Sequence, residues 1–166
     1  MKDKAVYLII GGFTLFAAAV IGFAAFKESK NQPRVLSYET SAGERPKAVV
    51  AYHFKDLGKM KETDEKTTEF TIENMGNKPL QLFKATSSCG CTLGQITING
   101  QKSPEFSMHS KSNWTGELAP RQKAIVAVTY KPGIMPVKGD VTRAVYVSTN
   151  DPDNKELTFS VKAFVE

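Results

Sequence analysis

The chain has 166 residues, 41% hydrophobic and 23% charged, with 22 Lys or Arg against 17 Asp or Glu and two cysteines. That length suits one cored domain and leaves no room for a TIM barrel or for a dinucleotide-binding domain with a partner domain. A net charge of +5 is no nucleic-acid footprint, and two cysteines one residue apart cannot staple distant parts of a secreted fold.

The first element is the uncharged, proline-free run of 22 residues from Ala5 to Phe26, in which Thr14 is the one strongly polar side chain. As a helix it reaches roughly 33 Å, enough for a hydrocarbon core of about 30 Å. We read it as a single transmembrane helix. A cleaved signal peptide is the alternative, but apolar signal cores run about 7–15 residues and Gly22-Phe23-Ala24 is a poor cleavage site. Gly11, Gly12, Gly22 and Ala17 to Ala19 would let a second helix approach closely in the bilayer. Lysines flank both ends, so charge alone does not orient the segment. With a four-residue tail on one side, the folded remainder is expected on the trans side of the membrane, outside the cytoplasm.

Residues 27–47 hold only Val35, Leu36 and Tyr38 as large apolar groups before the turn-rich Ala42 to Pro46 and read as a juxtamembrane tether. The domain is expected over 48–166. Alternation predicts a strand over Ala48 to Phe54, and the charges from Lys55 to Lys66 predict a solvated hairpin or loop. Thr67 to Glu73 is a period-two strand, Asn74 to Pro79 a turn, and Leu80 onward a second, antiparallel strand. After Cys91 the pattern weakens to a short strand over Leu93 to Ile98, and Gly100 to Pro120 reads as one long irregular excursion around Trp114. Three alternating blocks follow, Ala124 to Tyr130, Val141 to Thr149 and Leu157 to Val165, separated by turns at Lys131 to Gly133 and Asn150 to Asn154. About seven strands with no convincing helix after residue 30 predict an all-β, immunoglobulin-like sandwich.

The string Phe70-x-Ile72-x-Asn74-x-Gly76-x-x-Pro79-Leu80, then Ser88-Cys89-Gly90-Cys91-Thr92, then Gly139-Asp140-Val141 and Thr149-Asn150-Asp151, resembles a bacterial family of uncharacterised function. That family is similar in architecture to the immunoglobulin-like domains of the Hydin and major sperm protein group. The resemblance spans Glu69 to Phe164. It departs at Pro120-Arg121, where Pro-Gly is customary, and in the length of the Gly100 to Gly116 region. It implies a seven-stranded sandwich exported behind an N-terminal signal or anchor, hence a periplasmic or extracellular domain on a bacterial inner or cytoplasmic membrane, and no enzymatic activity.

Cys89 and Cys91 are the compact candidates for chemistry. They can mark a strand end, reduced or joined as an i,i+2 disulfide; they can exchange thiols, although they lack C-x-x-C spacing; or they can bind a soft ion such as copper(I) as two thiolates, with Met75, Met108 or His109 as added ligands. No cofactor is expected under the first reading. Four-ligand zinc lacks residues, since the two histidines are His53, on a strand, and His109, in the excursion. No nucleophile motif, HExxH or phosphate loop is present, so no enzyme and no small-molecule substrate are expected. Trp114, with Lys102 and Lys111, is the candidate partner contact, and nucleic acid is excluded by the lack of aromatics interleaved with a basic stripe. The expected role is a membrane-anchored module contacting an envelope or membrane protein, bound to the bilayer through 5–26.

Overall fold

The computed structural model describes residues 12–23, 35–41, 43–110 and 112–166. Two compact units result, Met1–Arg34 and Val35–Glu166. In the first, residues 12–23 are helical. Among the described residues no helix is long and apolar enough to cross a membrane. The expected 5–26 span extends beyond the described residues at both ends.

The second unit is a two-layer sandwich of ten strands, not seven. Its strands are β1 (Ala48–Val50), β2 (Phe54–Met60), β3 (Lys66–Asn74), β4 (Leu80–Ser87), β5 (Thr92–Ile98), β6 (Gln101–Lys102), β7 (Thr115–Leu118), β8 (Lys123–Tyr130), β9 (Gly139–Thr149) and β10 (Glu156–Val165). One sheet runs β1-β3-β8-β5-β6 and the other β2-β10-β9-β4-β7. The core lies between them because each long strand turns alternate apolar residues inward. Phe70 and Ile72 of β3 and Val126 and Val128 of β8 meet Val145 and Val147 of β9 and Phe159 and Val161 of β10, all buried. The Phe70 and Phe159 rings join the sheets with centroids 5.3 Å apart.

The added strands correct three expectations. The predicted Ala48 to Phe54 strand divides: β1 pairs antiparallel with β3, whereas β2 crosses to the other sheet and pairs parallel with β10. The charged stretch after Lys55 is therefore largely strand, because an edge strand buries its backbone in one ladder while its side chains stay in water. The excursion is also structured. Phe106 is buried and exchanges two 2.8 Å backbone hydrogen bonds with Gly94, and Thr115–Leu118 then pairs with β4. Gly94 also meets the opposite sheet closely, where a Cβ would sit 2.7 Å from Val145 Cγ1.

Within 27–47, read as a juxtamembrane tether, Leu36, Arg45 and Lys47 are bonded to the sandwich. Leu36 N–H donates to Gln81 Oε1, Arg45 N–H to Asn77 Oδ1 and Lys47 N–H to Asn74 Oδ1, and Arg45 pairs with Asp153 at 2.6 Å. This end of the sandwich holds the starts of β4 and β10 and the ends of β3 and β9.

The sheet edges are short or capped. β1, β6 and β7 have three, two and four residues. The seven-residue edge β2 is closed over its second half: Lys66 Nζ donates to the carbonyls of Leu57 and Lys59, both at 2.8 Å, and Asp56 accepts from the Gly58 N–H. Bulging at Lys162/Phe164 and the lysines of β2 further discourage an added strand.

Candidate functional site

At the other end of the sandwich, residues 88–91 carry the chain from β4 in one sheet to β5 in the other. Three hydrogen bonds to two neighbouring segments fix this turn. Ser88 N–H donates to Ala144 O at 2.9 Å, Ala144 N–H returns to Ser88 Oγ at 3.0 Å, and Lys131 N–H donates to Cys91 O at 2.9 Å. The Ser87 hydroxyl and the Thr92 N–H both donate to Cys89 O. Polar Ser and Thr at these positions satisfy carbonyls and amides that the crossover would otherwise leave buried and unpaired.

Within the turn Cys89 and Cys91 are joined as a disulfide, with Cα atoms 5.3 Å apart. Cys91 is fully buried and Cys89 keeps 6% of its surface. The Thr92 hydroxyl, 3.3 Å from Cys89 Sγ and 3.9 Å from Cys91 Sγ, must be the donor, because neither bonded sulfur carries a proton. Gly90 lies over open space: a Cβ there would meet nothing within 4 Å.

The residue that sequence reading missed is Arg143. It shares parity on β9 with Val141 and Val145, so the strand turns it inward, and its Nε lies 3.4 Å from Cys91 Sγ. Its guanidinium carbon stands 5.9 Å from the centre of the Tyr130 ring, and Nη1 donates to Thr142 O. Among the described residues no carboxylate pairs with it. The buried Tyr130 hydroxyl likewise has no hydrogen-bond partner among them. Burial raises the Tyr130 phenol above its ordinary pKa, with the Arg143 charge opposing. A cation without a carboxylate partner among the described residues thus stands beside the disulfide and over the ring of Tyr130. The signal for Arg143 was its parity: a charged residue in phase with valines on a strand belongs to the inner face.

The other predicted residues scatter. Met75 follows Asn74, at the far end of β3 from Lys66, and Lys66 is the residue aligned through Tyr130 with Thr92; that separation is roughly 30 Å along the strand. A ligand set joining Met75 to the cysteines is thereby corrected, and Met75 Sδ instead accepts from Arg121 Nη1. Met108 and His109 are exposed on the loop after Phe106, where Thr86 Oγ1 donates to the carbonyls of Ser107 and Met108. Among the described residues no three His, Cys, Asp or Glu gather as a metal site. As a disulfide the pair presents no thiolate to copper(I). Trp114 packs against the core with its ring 5.7 Å from that of Phe106, Lys102 is exposed on β6, and Lys111 lies outside the described residues. His53 stacks on Phe159 at 6.4 Å.

One further group marks this end. After β8 a short 3-10 turn, Pro132–Ile134, leads into a loop whose Ile134, Met135 and Val137 are 54%, 46% and 36% exposed. Gly133 admits the close approach of Glu62 O, 2.8 Å from where a Cβ would stand.

The sandwich is similar to a protein of unknown function from Porphyromonas gingivalis W83, with 16% identity and a TM-score of 0.54 over 75% of this chain and 49% of that one. The chain thus spans about half the length of that protein, and the likeness extends to the fold. Weaker likenesses are to the ASH/PapD-like domain 7 of human CEP192, at 12% identity and a TM-score of 0.47 over 81% and 98% of the two chains, and to the E. coli chaperone DraB, at 13% and 0.41 over 73% and 55%. No curated protein matches the sequence. The family model described as a protein of unknown function (DUF1573) matches residues 50–105, a stretch that contains the Ser88 to Thr92 turn.

Proposed function

We propose that this sandwich is a non-covalent protein-interaction module, held at a membrane surface by the N-terminal apolar run, and that the disulfide end is its contact face. The reading rests on one observation: Ile134, Met135 and Val137 stand exposed together on a loop fixed at its root by Lys131 N–H on Cys91 O. Large apolar groups held rigidly in water lose little conformational entropy when a partner covers them. The capped edges of β2 argue against strand addition as the mode of contact, which leaves side-chain docking at this end. The disulfide accords with an oxidising compartment and so with export of the domain. The partner in this reading is another protein of the same membrane or envelope, and no catalytic activity is assigned.

The test is photo-crosslinking in native membranes from an analogue placed at Met135, with one at Tyr52 as the comparison. Met135 is expected to capture a discrete membrane or envelope protein that Tyr52 does not, and Ile134→Asp with Met135→Asp is expected to abolish co-purification in mild detergent. A monomer in mild detergent with no crosslink from Met135 would overturn the reading.

A further inference from the structure

We propose that the Cys89–Cys91 disulfide is reducible in the folded protein and has a fixed polarity, in which an external dithiol attacks Cys89 and Cys91 departs toward Arg143. The asymmetry of the pair carries the inference. Cys89 is the sulfur-bearing residue with residual exposure, and the adjoining Gly90 faces open space. Cys91 is enclosed, and Arg143 Nε–H donates to its sulfur at 3.4 Å; the Thr92 hydroxyl, 3.3 Å from Cys89 Sγ and 3.9 Å from Cys91 Sγ, does not set the polarity. A guanidinium without a carboxylate partner among the described residues has its charge free for an anion, and Cys91 Sγ lies 3.4 Å from its Nε. Thiol–disulfide exchange is fastest when the departing sulfur is the better-stabilised thiolate, so the geometry selects Cys91 as the leaving group.

The chemistry balances with a dithiol as the named reductant. Its first thiolate bonds to Cys89 Sγ, the Cys89–Cys91 bond breaks, and that electron pair leaves on Cys91 Sγ. Its second thiol loses a proton to water and attacks the sulfur of its own partner thiol, releasing Cys89 as a thiolate that takes up a proton. The protein's disulfide gains two electrons and the dithiol becomes a disulfide. The turn does not need the S–S bond to keep its place, because Ser88 and Cys91 remain tied to Ala144 and Lys131 through backbone bonds. Both thiols therefore stay positioned for reoxidation. The proposal goes beyond the docking reading and is separable from it, since Ile134→Asp and Met135→Asp alter the loop and leave both sulfurs and Arg143 in place.

The full chain, oxidised and folded, would be treated with limiting reduced glutathione, quenched in acid, alkylated and mapped by fragment mass spectrometry. Glutathione is expected on Cys89 and the alkyl label on Cys91, by about ten to one. Glutathione chiefly on Cys91, or no adduct until the chain is unfolded in guanidinium, would overturn the proposal. In a second arm, the rate of reduction by dithiothreitol is expected to fall about tenfold in Arg143→Gln and to return to within about threefold of native in Arg143→Lys. A folded Arg143→Gln protein that is reduced at the native rate, or a Lys variant as slow as the Gln variant, would remove Arg143 from the mechanism. The mapping arm uses the unaltered protein and so decides the polarity even where a variant fails to fold.

Discussion

Where residues 45–48 meet the sandwich, the buried side chains of Asn74 and Asp151 are matched throughout, and Arg45 Nη1, which makes no hydrogen bond, is ion-paired with Asp153 at 2.6 Å. Asn74 Oδ1 accepts from Lys47 and Gly76 N–H, and its Nδ2 donates to Lys78 and Leu118 O. Asp151 accepts from the N–H groups of Ala48 and Asp153 and from Asn154 Nδ2. At the disulfide end, by contrast, Arg143 faces a sulfur and the Tyr130 hydroxyl faces nothing among the described residues. A fully matched network at low dielectric specifies geometry, whereas polar groups left unmatched point to a role other than holding the fold. The two ends thus divide the work, one fixing how the chain enters the sandwich and the other keeping charge and apolar surface available.

The largest expected effect breaks the matched end. Asn74→Ala leaves two N–H groups and two carbonyls without their partners around a buried side chain, and should cost about 3 kcal/mol in urea unfolding. Next comes Gly76→Ala. A Cβ there overlaps the backbone of Arg45, Pro46 and Lys47, so segment 45–47 must shift, at about 2 kcal/mol, with loss of amide-exchange protection at Lys47 and Ala48. If both substitutions proved neutral, the contrast between the ends would lose its structural half.

The disulfide end should respond less. A cross-link closing only about three residues removes little entropy from the unfolded chain, so replacing Cys89 and Cys91 together by Ser should cost about 1.5 kcal/mol. A loss as large as that of Asn74→Ala would mean that the disulfide is a principal staple of the fold and would weaken the division drawn above.

How much of this was legible in the sequence follows from what alternation encodes. The strands β3, β8, β9 and β10 bury one face and expose the other, so period two marked them and the sandwich they form. Strand β2 was hidden because it is an edge: its residues are mostly exposed, and its ladder with β10 involves backbone, which sequence does not advertise. Phe106 was hidden for a different reason. A single aromatic among Ser, Pro and Glu shows no period, and what seats it is a pair of backbone hydrogen bonds to Gly94, which a side-chain pattern does not encode. At the site, the cysteines stood out by type and spacing, but the grouping of Met75 with them failed because proximity in composition is not proximity in register. Arg143 was readable in principle from its parity with Val141 and Val145, yet its meaning depended on β9 facing the 88–91 turn across the sandwich.

The smallest expected effect is the sharpest test of the unmatched end. Tyr130→Phe removes the hydroxyl and keeps the ring that Arg143 overlies, so stability near neutral pH should change by less than about 1 kcal/mol, in either direction. The difference should emerge in alkali. Burial raises the folded-state pKa of Tyr130, so the neutral phenol is favoured by folding. That contribution is fully present below the unfolded value of about 10 and is lost as pH rises through the folded value, because the unfolded chain then releases a proton that the folded protein retains. Urea unfolding followed between pH 9 and 11 should therefore show a steeper fall for the native protein than for Tyr130→Phe, as an inequality of slopes and not of plateau values. Equal slopes would mean that the hydroxyl is hydrated in solution, and the disulfide end would then owe its unmatched character to Arg143 alone.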